Sequence, residues 1–182
     1  MRIAKSPPLG HRRSITAQLA QGNRPSNLGH VAITTAEARQ QILDDLAAAL
    51  DQLGLAVACL SEAFGQLAVD SADRLEADLY RPVQKAYGRG KRTHAQFAQR
   101  VGLGGDTFEP PSAGPRSQGV KELVQKMAAA LADADRRIAE LQDSMLPIEA
   151  GDAELRAGLN ETRELLKPVP RAAAMFLRSL GR

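Results

Sequence analysis

The chain has no tryptophan, one cysteine, three histidines and an aromatic fraction of only 3% over 182 residues. Each scarcity removes a class of protein. A lone Cys59 permits no intrachain disulfide and no cysteine-based zinc site. It falls within the helical pattern of Leu53, Val57, Leu60 and Phe64, which makes it a buried, inert thiol rather than a nucleophile. No apolar run reaches the roughly 18 residues that a membrane-spanning helix needs. The N-terminus has no apolar leader-like core, so a reduced, cytoplasmic setting is expected. Its arginine content resembles a transit peptide in composition, but its prolines spoil the amphipathic helix such a peptide requires.

Motifs for chemistry are equally scarce. His11 and His30 lie near the N-terminus, and His94 falls on an apolar helical side beside Phe97, as a core or boundary histidine with a local hydrogen bond would. No Glu-x-x-His pair, no His-x-x-x-His pair and no zinc-spaced cluster occurs. There is no phosphate loop, and Gly102, Gly104 and Gly105 lack the preceding strand of a dinucleotide fingerprint. Nucleophile elbows are missing too. Carboxylate pairs such as Asp44/Asp45 and Asp133/Asp135 are what solvated helix faces ordinarily carry. No catalytic residue, metal site or cofactor is therefore expected, and the chain reads as a non-enzyme.

What the chain does have is helix formers: 31 alanines and 23 leucines. From Val120 the apolar residues Val124, Met127, Leu131, Ala134, Ile138, Leu141, Met145 and Ile148 follow at spacings of four and three. That 3.5-residue period belongs to a helix laid lengthwise against others. A related seam runs Ile42, Leu46, Ala49, Leu53, Val57, Leu60, Phe64, Leu67, opened by a capping box of Thr34 and Glu37. Another runs Leu75, Leu79, Val83, Tyr87, His94, Phe97, Val101, with Pro82 as a kink candidate. The last runs Leu155, Leu159, Thr162, Leu166, Val169, Ala173, Phe176, Leu180 and keeps its phase across Pro168 and Pro170, as a kinked helix or two short helices sharing one groove would. The expectation is an all-α, antiparallel four-helix bundle with coiled-coil-like packing, preceded by a disordered basic tail over residues 1–33. Its helices should cover about 35–69, 71–101, 117–149 and 152–180 within residues 34–182, with an unstructured, mobile loop over 102–116. Asp70 or Ser71 and Ser117 are the cap candidates for the second and third helices, and Asp152 for the fourth. A tight hairpin near 69–72 is preferred to one long helix over 35–101, because the flanking charge blocks have opposite sign.

Those blocks alternate along the whole chain: +5 over residues 1–36, −5 over 37–70, +4 over 71–102, neutral over 103–132, −5 over 133–164 and +4 over 165–182. Neighbouring segments that attract one another are the simplest reading. One cationic row stands out. Arg74, Arg81, Lys85, Arg89, Arg92 and Arg100 recur at helical spacing, with no acid from Arg81 to Arg100 and with Tyr80 and Tyr87 alongside. Such a row can bind polyanions by counterion release, aided by Arg2, Lys5, Arg12, Arg13 and Arg24 of the tail. It can equally face the acidic helix of residues 37–70 or of 133–164 and be used up within the fold.

The leading functional expectation is a non-enzymatic helical interaction or scaffold protein that acts through bundle surfaces, with a protein partner or a second copy of itself. Nucleic-acid or other polyanion binding through the row and tail is the alternative. A small-ligand or lipid site between helices, lined by Met127, Met145, Phe64 and Phe97, is a further one. The basic, amphipathic end around Arg171, Met175, Phe176, Leu177, Arg178 and Leu180 continues the fourth seam, so core packing is preferred to peripheral membrane contact.

Overall fold

The computed structural model describes residues 34–180 apart from residue 116, and the expected tail lies outside the described residues. Every regular element among them is helical: α1 (Thr35–Gly65), α2 (Val69–Leu75), a π-helical turn (Glu76–Tyr80), α3 (Arg81–Val101), α4 (Val120–Asp143), α5 (Leu146–Glu149), α6 (Ala153–Leu166) and α7 (Val169–Leu180).

α1 begins where its capping box places it. Glu37 N–H donates to the Thr34 hydroxyl at 3.2 Å, and Thr34 N–H donates back to the Glu37 carboxylate at 2.8 Å. The Thr34 backbone and hydroxyl hold the Glu37 carboxyl below its usual value. The chain then turns at 66–68 and re-enters a helix capped by Ala68, which offers no side-chain cap. Asp70 and Ser71 lie inside that helix rather than ahead of it. Neither the single long helix nor the expected cap is what forms.

α2, the π turn and α3 are continuous. The wide turn is legible in retrospect, because Leu75, Leu79, Val83 and Tyr87 are spaced four, four and four and all are buried. A regular α-helix at 3.6 residues per turn would rotate that row out of line, and one π turn absorbs the drift. The turn also sits immediately before Pro82, whose ring supplies no N–H; Arg81 N–H reaches back to the Glu76 carbonyl instead. α3 ends at Gly102, which adopts φ +72° while Leu103 N–H closes onto the Ala98 carbonyl at 2.9 Å.

Cross-contacts fix the bundle as a square in which touching helices run antiparallel. Leu50 meets Gly90, and Gly54 meets the Tyr87 hydroxyl, between α1 and α3. Gln66 donates to the Gln118 carbonyl at 3.1 Å, joining the end of α1 to the approach of α4. Arg163 on α6 bonds Asp135 on α4 at 2.7 Å. On α6 Gly158 lies against Thr93 of α3, where an added Cβ would come within 2.2 Å of the Thr93 hydroxyl oxygen. α3 and α4 therefore run parallel on one diagonal, and the connector between them must travel the length of α1.

That connector is no free loop. Phe108 packs on His94, Pro110 and Pro111 pass over Gly54, and the Ala113 carbonyl accepts from Lys126 Nζ at 2.7 Å. An added Cβ at Gly54 would meet Pro111 Cδ at 3.3 Å, so the strap needs a bare backbone beneath it. Residues 103–115 thus form an extended strap from α3, over α1, to α4. With α3, α4 and the strap against it, α1 buries a broad arc of residues, including Cys59, whose thiol is pushed up by burial, and keeps Asp44 and Asp51 on its exposed side. Each fully buried leucine there contributes roughly 1.5–3 kcal/mol of apolar transfer.

The third seam ends differently from expectation, and the fourth takes the second of the two forms its prolines allow. α4 is capped by Gly119 rather than Ser117 and stops at Asp143; Met145 then takes φ +66°, a left-handed conformation that breaks the row. Met145 and Ile148 are consequently exposed, while Val124 to Leu141 of the same seam are buried. The fourth segment is two helices sharing one groove: Leu155, Leu159, Thr162, Leu166, Val169, Ala173 and Phe176 are all buried across the break at Lys167 and Pro168. Asp152 caps α6 as the sequence suggests, accepting from Leu155 N–H at 2.7 Å.

Candidate functional site

The cationic row is divided by the fold. Arg89 pairs with Glu161 on α6, and Arg100 forms a two-pronged bond with Asp152 at 2.7 and 2.9 Å. Arg81 turns back to Glu76 at 3.0 Å, at the mouth of the π turn. A π turn holds about one residue more than an α turn, which takes Arg74 off the line of Arg81 by on the order of 100°. Lys85 and Arg92 are exposed and make no ion pair among the described residues. Lys91, which regular spacing leaves out of the row, stands over the Tyr87 ring at 4.4 Å. The acidic segment that answers the row is α6, within residues 133–164, not α1.

Electrostatics follow this pairing. The Arg100 hydrogen bond, with help from Leu155 N–H and neighbouring charge, holds the Asp152 carboxyl below the usual range against the opposing effect of its burial. On α4, Asp133 binds both Arg136 and Arg137, and Arg136 also reaches Glu140 at 2.7 Å. Those exposed pairs occupy the outer face of α4 with charges already satisfied.

The four residues proposed to line a ligand site do not come together. Met127 and Phe97 are fully buried core residues, whereas Phe64 and Met145 are exposed at opposite ends of the bundle. A groove of about 480 Å³ does open elsewhere, beside the α6–α7 break, between Leu131, Asp135, Asn160, Arg163, Lys167 and Pro170. Its charges are committed: Arg163 to Asp135 and to Gln142 at 3.0 Å, and Lys167 to Glu164. A second, smaller hollow lies at the π turn between Ser61, Phe64, Glu76 and Tyr80.

Among the described residues no group of three or more His, Cys, Asp or Glu side chains could hold a metal ion, and no helix is long and apolar enough to cross a membrane. His94 is buried as its apolar side implies, but without the local hydrogen bond expected of it: neither ring nitrogen has a partner. Of the large apolar side chains left in the open, Phe64 and Val69 lie around the α1–α2 turn and Met145 and Ile148 around the α4–α5 turn, while Met175 and Leu180 lie on α7. Comparisons with protein-family models, with curated proteins and with solved structures return no match for this chain.

Proposed function

We propose that this chain is a non-enzymatic helical interaction module that recognises a protein partner, first of all a second copy of itself, through the ends of its bundle. The observation that supports this reading is a mismatch between pattern and coverage. Phe64, Met145 and Ile148 continue apolar seams in phase, yet the fold that covers their predecessors leaves them 40%, 49% and 58% exposed. Val69, 75% exposed, enlarges the first patch. Single exposed apolar residues are ordinary on any surface, whereas seam residues bared together at a helix end suit a partner. The long flanks are less suited, since ion pairs close much of their charge. A reduced cytoplasmic setting accords with the buried thiol.

Sedimentation over a concentration series tests the proposal. The native chain should gain mass with concentration. One of two double variants, Phe64→Ser/Val69→Ser or Met145→Ser/Ile148→Ser, should hold at single-chain mass with an unchanged melting temperature. A native chain that stays single throughout, with both variants indistinguishable from it, contradicts self-recognition through the ends.

A second reading, polyanion binding, is supported by Lys85 and Arg92, the two exposed cations on one α3 face with no acidic partner among the described residues. Affinity for generic DNA or RNA should then fall steeply with salt, and Lys85→Ala/Arg92→Ala should flatten the slope by about two released counterions. Binding that is unaltered in that variant removes α3 from this reading.

A further inference from the structure

His94 combines two properties that seldom coexist in a settled core. It is fully buried, and both ring nitrogens are without a hydrogen-bond partner. Its cover comes from the strap. The Phe108 ring stands edge-on to the imidazole, with centroids 5.0 Å apart and planes at 87°. The Asp106 carboxylate lies 3.6 Å from Nε2, beyond hydrogen-bond reach, and its side chain is 61% exposed. The strap itself has no regular secondary structure over residues 103–115. Besides the Phe108–His94 contact, it is held at its start by the Leu103 N–H bond to the Ala98 carbonyl, along its length by Leu103 and Ala113 against the core and Pro110 and Pro111 over Gly54, and at its end by the Lys126 bond to Ala113. A segment held by side chains and single bonds, with no helical or strand ladder of its own, can open while the helices beneath it stay folded.

We propose that residues 103–115 form an acid-released strap: protonation of His94 expels the imidazole from beneath Phe108 and lifts the strap from α1 and α3, with the four-helix core intact.

The charged groups around His94 divide by element. The strap presents Asp106 and α1 presents Asp44; on α3 itself, the nearby Lys91 is engaged with the Tyr87 ring. α6, packed on another side of α3, presents Glu161 and Asp152, each taken by an arginine. Burial is the largest influence on the imidazole and disfavours its charged form. Asp106, the Leu43 backbone and Asp44 pull the other way and are outweighed. Asp106 is largely in water, so its attraction is screened, and the Leu43 backbone lies close without completing a hydrogen bond. The closed strap therefore binds a proton less readily than the open one, in which His94 meets water and returns to its ordinary value of 6.5. Above that value the closed form is fully favoured. As pH falls below it, protons load the open form first, and closure weakens until the lowered value of the closed form is reached. The open fraction gains up to about tenfold for every pH unit between those two values.

The sequence contains no tryptophan, so Phe108→Trp places a single fluorescent reporter under the strap. Its emission and acrylamide quenching are followed in the full chain about one unit above and one unit below the ordinary histidine value, with far-UV circular dichroism alongside. Acidification should red-shift the reporter and raise its quenching while the helical signal holds. Adding His94→Leu should make the reporter indifferent to pH over that range. Adding Asp106→Asn, at an exposed position, should increase the acid response, because it removes the strap charge that favours the imidazolium. The proposal is overturned if the native-background reporter stays buried in acid, if His94→Leu responds as strongly, if Asp106→Asn weakens the response, or if helix signal is lost in step with the reporter. Should the reporter chain fail to fold, the His94 ring titration by NMR in the unsubstituted chain decides: a midpoint below the ordinary value supports release, and one above it means the Asp106 pair tightens the strap instead.

Discussion

Along the α1–α4 pair the contact is between helices whose fully buried side chains are apolar, Ile42, Leu46 and Leu53 on α1 and Met127, Ala134 and Ile138 on α4. Along the α3–α6 pair it is made by Gly158 pressed on Thr93, flanked by Arg89–Glu161 and Arg100–Asp152. The first pair is held by apolar volume, so its strength should depend on filling space and little on salt. The second is held by closeness, which glycine permits, and by charges that fix which helix lies there. This difference bears on function, because three of the six cations that the sequence gathers into one row are committed to acids on α6 or beside the π turn. A cationic stripe on a lone helix is open along its whole length; here Arg89 and Arg100 are taken by the acidic helix beside them, and Lys85 and Arg92 are left over.

Substitutions can break that contrast from either side. Leu46→Ala, in the middle of α1, should cost about 2–5 kcal/mol in urea unfolding, because a fully enclosed site collapses poorly around a cavity. Gly158→Ala should cost about 1–3 kcal/mol despite alanine's better helix propensity, since its Cβ would lie 2.2 Å from the Thr93 hydroxyl oxygen. Thr93→Ala combined with it should recover part of that loss, and no recovery would mean that the α3–α6 approach is set elsewhere. If Gly158→Ala proves costlier than Leu46→Ala, the ranking of the two pairs is wrong.

Asp152→Ala removes both the α6 cap and the Arg100 bond and should cost about 1 kcal/mol at neutral pH. Because the folded carboxyl is held below its ordinary 3.8, its contribution is complete above that value and drains away as pH falls toward the folded one. The native chain should therefore lose more stability than the variant as pH is lowered below 3.8, and the two should track each other above it. Arg81→Ala, which breaks only the exposed contact with Glu76, should change stability by no more than about 0.5 kcal/mol.

Much of this architecture is legible from spacing alone, because a seam spends its apolar residues only where something covers them. The Thr34–Glu37 box fixes the start of α1, and Pro168 marks the break between α6 and α7 through its missing donor. Other features escape for identifiable reasons. Block charge cannot choose between two acidic helices of equal sign, and the choice falls to Gly158, a residue with no charge at all. Asp70 and Ser117 are sound caps by composition, but the helices they should open are positioned by packing, and the caps that form are Ala68 and Gly119. The π turn had a signal in the four-residue spacing from Leu75 to Tyr87. The strap had almost none: its prolines and glycines read as a loop, and nothing local says that Phe108 finds His94 or that Pro111 finds Gly54. For the candidate site, the sequence supplied the cations without their partners and the end residues Phe64, Met145 and Ile148 without their exposure.

Hydrogen exchange along α1 tests the enclosure of that helix most directly. Amides from Ile42 to Leu60, shut in by α3, α4 and the strap, should exchange only through global unfolding, with a free energy equal to that from denaturant titration. Exchange of those central amides at a markedly lower free energy than the whole fold would contradict the account, since α1 would then open independently of the helices said to surround it.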